Sequence, residues 1–229
     1  MKFFAVICTR NPKLSSQTRG LVSKLSSFGV DVKLLVNQDS IFSAYHKGLT
    51  KCEASDTDIV IFCHDDIQIL SNKENFIAAL SICVKPKTGI VGPAGTTFLG
   101  ENAVWWDHDN WKKGLHRGAV NHIAQEEPPT IDTTTYGPYG EVVALDGLFL
   151  AARKKVWEHI KVEKPTYFEG LWDFYDIHYT TTAHALGYNN YAVPIKMIHH
   201  SSGQLVGRDS WHKNRTAFIK HTTLPMKVK

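Results

Sequence analysis

Before residue 95 the chain alternates short apolar runs with amphipathic stretches, and no other feature limits its fold so much. Phe3 to Cys8 reads as a first strand and ends at Thr9-Arg10-Asn11-Pro12. Leu14, Leu21, Leu25 and Phe28 then return to one helical face, and Gly29 can stop that helix. Val30, Val32, Leu34 and Val36 alternate as a second strand that ends at Asn37-Gln38-Asp39-Ser40. Ser40 is placed to cap a helix with Ile41, Tyr45, Leu49 and Cys52 on one stripe. Ile59 to Cys63 is apolar throughout, as in a strand buried on both faces. Ser71 and Glu74 have capping-box spacing ahead of a helix bearing Phe76, Leu80 and Cys83, which Lys85-Pro86 closes. Gly89 to Pro93 is a further short strand. This order predicts an α/β fold whose largely parallel sheet has helices on both faces.

At 229 residues the chain suits one large domain, and with 43% hydrophobic residues it can fill a core. The formal charge of +4 is mild; it suits an anionic ligand such as a nucleotide phosphate and does not call for nucleic acid. Cys8, Cys52, Cys63 and Cys83 have neither a close pair nor zinc-like spacing, so a reduced, cytoplasmic setting is expected. The apolar start meets Arg10 without a small-residue cleavage site and reads as a strand rather than a signal peptide. No apolar run reaches the roughly 18 residues of a membrane span.

The single domain expected over 1–229 divides by character. A nucleotide-binding half over 1–95 is followed by an apparently irregular loop region over 96–140. That region carries Trp105, Trp106 and Trp111, then Glu126-Glu127-Pro128-Pro129 and Tyr136-Gly137-Pro138. Its tryptophans suit either stacking on sugar rings or plugging an apolar gap. Order returns over 141–207: an apolar run interrupted by Asp146-Gly147, a helix from Arg153 to Ile160, a helix over 173–186 stopped by Gly187, and a last strand from Tyr191 to Ile198. A basic tail over 208–229 has Trp211, Arg215, Phe218 and Ile219 on one stripe. It predicts either a docked helix or peripheral contact with an anionic membrane face.

The third strand runs into His64-Asp65-Asp66. Carboxylates at the carboxyl end of such a strand sit where open α/β sheets bind ligands. Two of them about 4 Å apart repel by roughly 4 kcal/mol at an effective dielectric near 20. A divalent cation, a nearby base or solvent exposure can offset that, and a solvated turn explains the pair as well as a metal does.

Taken in order, the strand–helix half, the HDD cluster, LDGLFLAARKKVW, WDFYDIHYTTTAHALGY and the His199-His200-Ser201-Ser202-Gly203 run resemble family 2-like glycosyltransferases of the GT-A fold. The similarity is to the small bacterial branch with the StrF-type domain, and it runs from about Lys2 to Gly203. It implies a mostly parallel mixed central sheet flanked by helices, and inverting transfer of a sugar from a nucleoside-diphosphate-sugar donor to a carbohydrate or other hydroxyl acceptor. The family's DxD motif stands here as His64-Asp65-Asp66. Asp66 then falls on the metal-binding position for Mn²⁺ or Mg²⁺, and Asp65, with His64, on the nucleotide side. Imidazole suits Mn²⁺ better than Mg²⁺.

By the same resemblance Asp176 is the catalytic base, with Asp173 as the alternative or as a substrate contact beside Trp172. His200, in preference to His199, closes the metal shell. Asp146 and Gly147 fall on the acceptor-side loop, and Thr9, Arg10 and Asn37 on the nucleotide pocket. Two other classes remain: a binding module without turnover, and a sugar nucleotidyltransferase. The latter usually has a Gly-rich loop after the first strand, which Thr9-Arg10-Asn11-Pro12-Lys13 lacks.

Overall fold

The computed structural model describes residues 1–123, 130–200 and 209–228. Residues 126–129 and the Ser201-Ser202-Gly203 run lie outside them. The first half contains β1 (Phe3–Cys8), α1 (Ser16–Ser27), β2 (Val30–Leu35), α2 (Ile41–Lys51), β3 (Ile59–Cys63), β4 (Ile67–Ile69), α3 (Lys73–Leu80) and β5 (Thr88–Gly92). Then come β6 (Ala94–Thr96), β7 (Phe98–Leu99), α4 (His108–Lys112), β8 (His116–Ile123), β9 (Ile131–Gly137), β10 (Gly140–Val142) and β11 (Ala144–Leu145). The chain continues through β12 (Phe149–Arg153), α5 (Lys154–Ile160), α6 (Tyr175–Ala185), β13 (Asn189–Ala192), β14 (Met197–His199), α7 (Asp209–His221) and β15 (Met226–Lys227).

The main sheet has the order β10-β13-β5-β12-β3-β1-β2. β2, β1, β3, β5 and β13 run one way, while β12 and β10 run against them. The expected mostly parallel mixed sheet is therefore the one observed. β3, β5 and β12 are buried along their whole length; their side chains are apolar or small except for Arg153 at the end of β12, whose guanidinium donates to Pro86 O and Thr88 O. Tyr45 of α2 stacks on Phe62 at 4.3 Å, and Trp157 of α5 packs on Phe62 from 4.4 Å. Trp157 also donates its indole N–H to Val60 O at 2.9 Å, which pairs the one polar atom its ring buries. Gly48 lets α2 approach β1, because a side chain there would overlap Val6.

A second sheet, β11-β6-β8-β14-β4 with β9 on the flank of β8, fills much of the stretch read as irregular loop. The strands were hidden because β8 alternates buried His116, Gly118 and Val120 with half-buried Arg117, Ala119 and Asn121, a weak apolar period, and β9 is threonine-rich and largely exposed. Trp105 is buried against Tyr136 and His116, while Trp106 packs on Trp211 of α7. Three more readings change. Asn72, not Ser71, caps α3 by accepting Asn75 N–H; Ser71 instead accepts Lys196 N–H. The strand expected from Tyr191 to Ile198 is two strands in different sheets, β13 and β14, parted at Pro194. Leu14 and Val36 fall just outside α1 and β2.

The tail forms α7, docked through Trp211, Asn214 and Phe218, so its apolar stripe faces the protein. Among the described residues no helix is long and apolar enough to cross a membrane.

Candidate active site

The topology brings distant segments to one rim. β1, β2 and β3 are parallel, so Thr9-Arg10, Asn37 and His64-Asp65-Asp66 all follow their carboxyl ends. β12 runs antiparallel to β3, which puts the Asp146-Gly147-Leu148 turn before it at the same end; His64 N donates to Leu148 O at 3.0 Å. β14 pairs with β4 and β8, setting His199 opposite Ile67 and beside His122. The first turn of α6 then supplies Tyr175 and Asp176.

His64, Asp66 and His199 converge, with one potential ligand atom from each lying within 4.8 Å of the others. His199 Nε2 is 3.4 Å and His64 Nδ1 3.8 Å from Asp66 Oδ1, and the two ring nitrogens are 3.4 Å apart. Asp66 Oδ1 is buried and accepts no well-formed hydrogen bond among the described residues. An oxygen in that position is costly unless a cation or proton meets it. Burial pushes the Asp66 carboxyl up, but His199 and His64 outweigh it and hold it below the usual range. Burial also opposes the charged form of His199, yet Asp66 and Asp146 raise its pKa above that of free imidazole. One carboxylate and two imidazoles fit a borderline ion such as Mn²⁺ better than Mg²⁺, which favours oxygen ligands and retained water.

His200 does not join this group. Its ring lies 3.4 Å from Gln68 Oε1, and its main-chain N–H bonds Asp66 O. Successive strand residues face opposite ways, and β14 ends with His199 turned inward.

Asp176 is half-buried at the start of α6. Burial and the nearby Asp146 carboxylate push its pKa up to about 7, against the N–H groups of Ile177, Asp176 and Gly147, which favour the anion. Burial raises Asp146 as well, opposed by His199, the Leu148 N–H and His122. Between the two acids stands Gly147, where any side chain would overlap the Tyr175 hydroxyl and the Asp176 side chain. The Tyr175 hydroxyl lies 2.6 Å from His64 Nε2 and bonds Gly147 O at 2.9 Å.

On the other flank the Arg10 guanidinium lies over the Trp172 ring at 4.1 Å, and Trp172 donates its indole N–H to Asp39 O at 2.8 Å. Burial raises the Asp65 pKa against a hydrogen bond from the Thr9 hydroxyl, while Asp66 raises it further. Asn37 adopts φ +51°, a left-handed conformation that asparagine tolerates. Thr9, Arg10, Asn37, Asp65 and Trp172 thus share one wall.

Asp173 is turned elsewhere. It is buried, takes a 2.5 Å hydrogen bond from Ser210 of α7, and its carbonyl accepts from Asn214. Its side chain secures α7 instead of facing the rim. Tyr175, His122 and Asn214 were not singled out from sequence, and His199 was named there only as second choice to His200, although strand alternation through Met197 and Ile198 was a usable signal for it. A groove of about 800 Å³ opens between α3 and β13, and none of the rim's acids or imidazoles lines it.

Comparison with known proteins agrees with this architecture. A family model described as "Glycosyltransferase like family" matches residues 5–222, and the chain belongs to that family. Among solved structures, one described as GalNAc-T7 with UDP, GalNAc and Mn²⁺ superposes with a TM-score of 0.59 at 11% identity. The match covers 95% of this chain and 47% of that one, so the chain spans about half the neighbour's length. A197 from STIV aligns with a TM-score of 0.48 at 11% identity, over 88% of this chain and 95% of the other. Curated proteins gave no match. The fold is that of GT-A glycosyltransferases.

Proposed function

We propose that this protein is an inverting glycosyltransferase that takes a sugar from a nucleoside-diphosphate donor to an acceptor hydroxyl. The observation that carries this reading is the placement of Asp176, with a pKa near 7, on the rim that also gathers His64, Asp66 and His199. His64, Asp66 and His199 would hold Mn²⁺, which supplies Lewis-acid neutralisation of a departing diphosphate. The solved neighbour's UDP and Mn²⁺ support that donor class.

The chain's own groups divide the remaining work. Arg10, braced on Trp172, is suited to a donor phosphate or base, and Asp65 with Thr9 to ribose hydroxyls. Asp146 and the Gly147 backbone face the acceptor side. Asp176 takes the proton from the acceptor hydroxyl as that oxygen attacks the anomeric carbon, and one in-line displacement inverts the configuration. A carboxyl with a pKa near 7 is matched to that proton at neutral pH. Four buried free cysteines are consistent with a reducing compartment.

The test is a panel of UDP-, GDP-, dTDP- and CDP-sugars with Mn²⁺, with the released nucleotide measured. Slow donor hydrolysis by at least one sugar nucleotide is expected, and it should be lost in Asp176→Asn. Nucleotide binding with no turnover on any donor would instead make the chain a binding module.

A further inference from the structure

Tyr175 opens α6 one residue before Asp176, yet its hydroxyl reaches the imidazole on the far side of Gly147. The ring is wedged among Phe42, Tyr45 and Tyr179, with centroids 6.4, 5.8 and 6.0 Å away, so the hydroxyl has little freedom. It sits 2.6 Å from His64 Nε2 and 2.9 Å from Gly147 O. A phenol has one proton to donate, and a carbonyl oxygen can only accept. Gly147 is buried, and among the described residues its oxygen receives its hydrogen bond from Tyr175. Were the phenol proton given to His64, that carbonyl would be left unpaired, a costly arrangement in a buried site. With the proton on the Gly147 side, the Tyr175 oxygen accepts from His64 Nε2–H and both contacts are satisfied. A neutral imidazole carries one N–H, so Nδ1 is then proton-free. That nitrogen faces Asp66 Oδ1 at 3.8 Å and His199 Nε2 at 3.4 Å.

We propose that Tyr175 is a positioning residue that holds His64 as its Nε2–H tautomer and so presents Nδ1 to a divalent cation shared with Asp66 and His199. The proposal rests on the metal-binding reading above and deepens it. It explains how a histidine serves at the first position of the acidic motif, since the ligand's other nitrogen needs an acceptor to orient it. It also ties the base and a metal ligand to the same helical turn.

The tautomer can be read directly. In ¹⁵N-histidine-labelled, metal-free protein above neutral pH, His64, assigned with His64→Gln, is expected to be protonated at Nε2 and bare at Nδ1. Tyr175→Phe keeps the ring and removes the hydroxyl. It should mix the two tautomers and weaken Mn²⁺ binding, measured by calorimetry, by about tenfold or more. A wild-type His64 protonated at Nδ1, with Mn²⁺ binding intact, overturns the role of Tyr175 alone. So does a Tyr175→Phe protein that keeps both the tautomer and the affinity. Wild-type protein with the Nε2–H tautomer but no affinity for Mn²⁺ overturns the metal reading, and with it the ligand role given to Nδ1. The wild-type spectrum decides the tautomer even if the variant fails to fold.

Discussion

Asp176, the base proposed for the transfer, sits in surroundings that work against its charge. Burial and Asp146 hold its pKa near 7, well above the ordinary carboxylate range. A base must be deprotonated, so the transfer rate should rise with pH through about 7 and level off above it. Asp176→Asn should lower kcat by about 10²–10⁴-fold and abolish that limb, which a pH–rate profile would check. Stability should move the other way. A carboxyl whose pKa is raised by folding stabilises fully below its unfolded value, and that contribution is lost as pH rises through the folded one. Above pH of about 7 the Asn variant should therefore gain Tm relative to wild type while losing turnover. The neighbouring histidines make a second residue-scale test. His199→Ala should lose Mn²⁺ binding and His200→Ala should keep it, because His199 faces Asp66 and His200 lies beside Gln68. That Asp66, Asp176 and Asp146 gather at one rim was legible in sequence because the resemblance places whole motifs. The choice between two adjacent histidines was not, since it depends on where β14 stops.

The elements matter chiefly through how they are fastened. Residues 170–174 lead into α6 and are held from two sides. Leu171 O accepts from Ile41 N and from the Ser40 hydroxyl of the α2 cap. Asn214 of α7, fully buried, accepts from Gly170 N and donates to Gly170 O and Asp173 O. Phe174 follows at φ +70°, a costly conformation for an aromatic residue, packed against Phe168, Trp211 and Phe218. Asn214→Ala leaves three backbone groups unmatched and should cost about 1–3 kcal/mol in urea unfolding, with a fall in kcat as Tyr175 and Asp176 lose their support. At the opposite end of β3, Asp58 accepts from Lys2 N at 2.6 Å and from Ser55 N at 2.9 Å, and these bonds lower its pKa to about 2. A depressed carboxyl stabilises fully above its unfolded pKa and stops doing so as pH falls through the folded one. Asp58→Asn should thus cost about 1–3 kcal/mol at neutral pH, with the gap from wild type closing in acid. Alternating apolar runs made α1, α2 and the main-sheet strands readable. The second sheet was not, because glycine, histidine and threonine carry β8 and β9.

At the scale of the molecule, the two sheets and α6 bring segments around residues 9–10, 37, 64–66, 122, 146–148, 172–176 and 199 to one rim. Composition bounded the class, and the order of motifs identified the family. What sequence could not supply was the geometry by which His64 turns from an anomaly in an acidic motif into one of three convergent donors. The proposed function requires these donors to bind a divalent cation together with a nucleoside diphosphate. Calorimetric titration of UDP and GDP, with and without Mn²⁺, on wild-type protein and Asp66→Ala tests it most directly. Mn²⁺ is expected to tighten binding of at least one diphosphate by about tenfold, roughly 1.4 kcal/mol, and Asp66→Ala to erase the gain. Equal Mn²⁺-dependent tightening in the two proteins would contradict it.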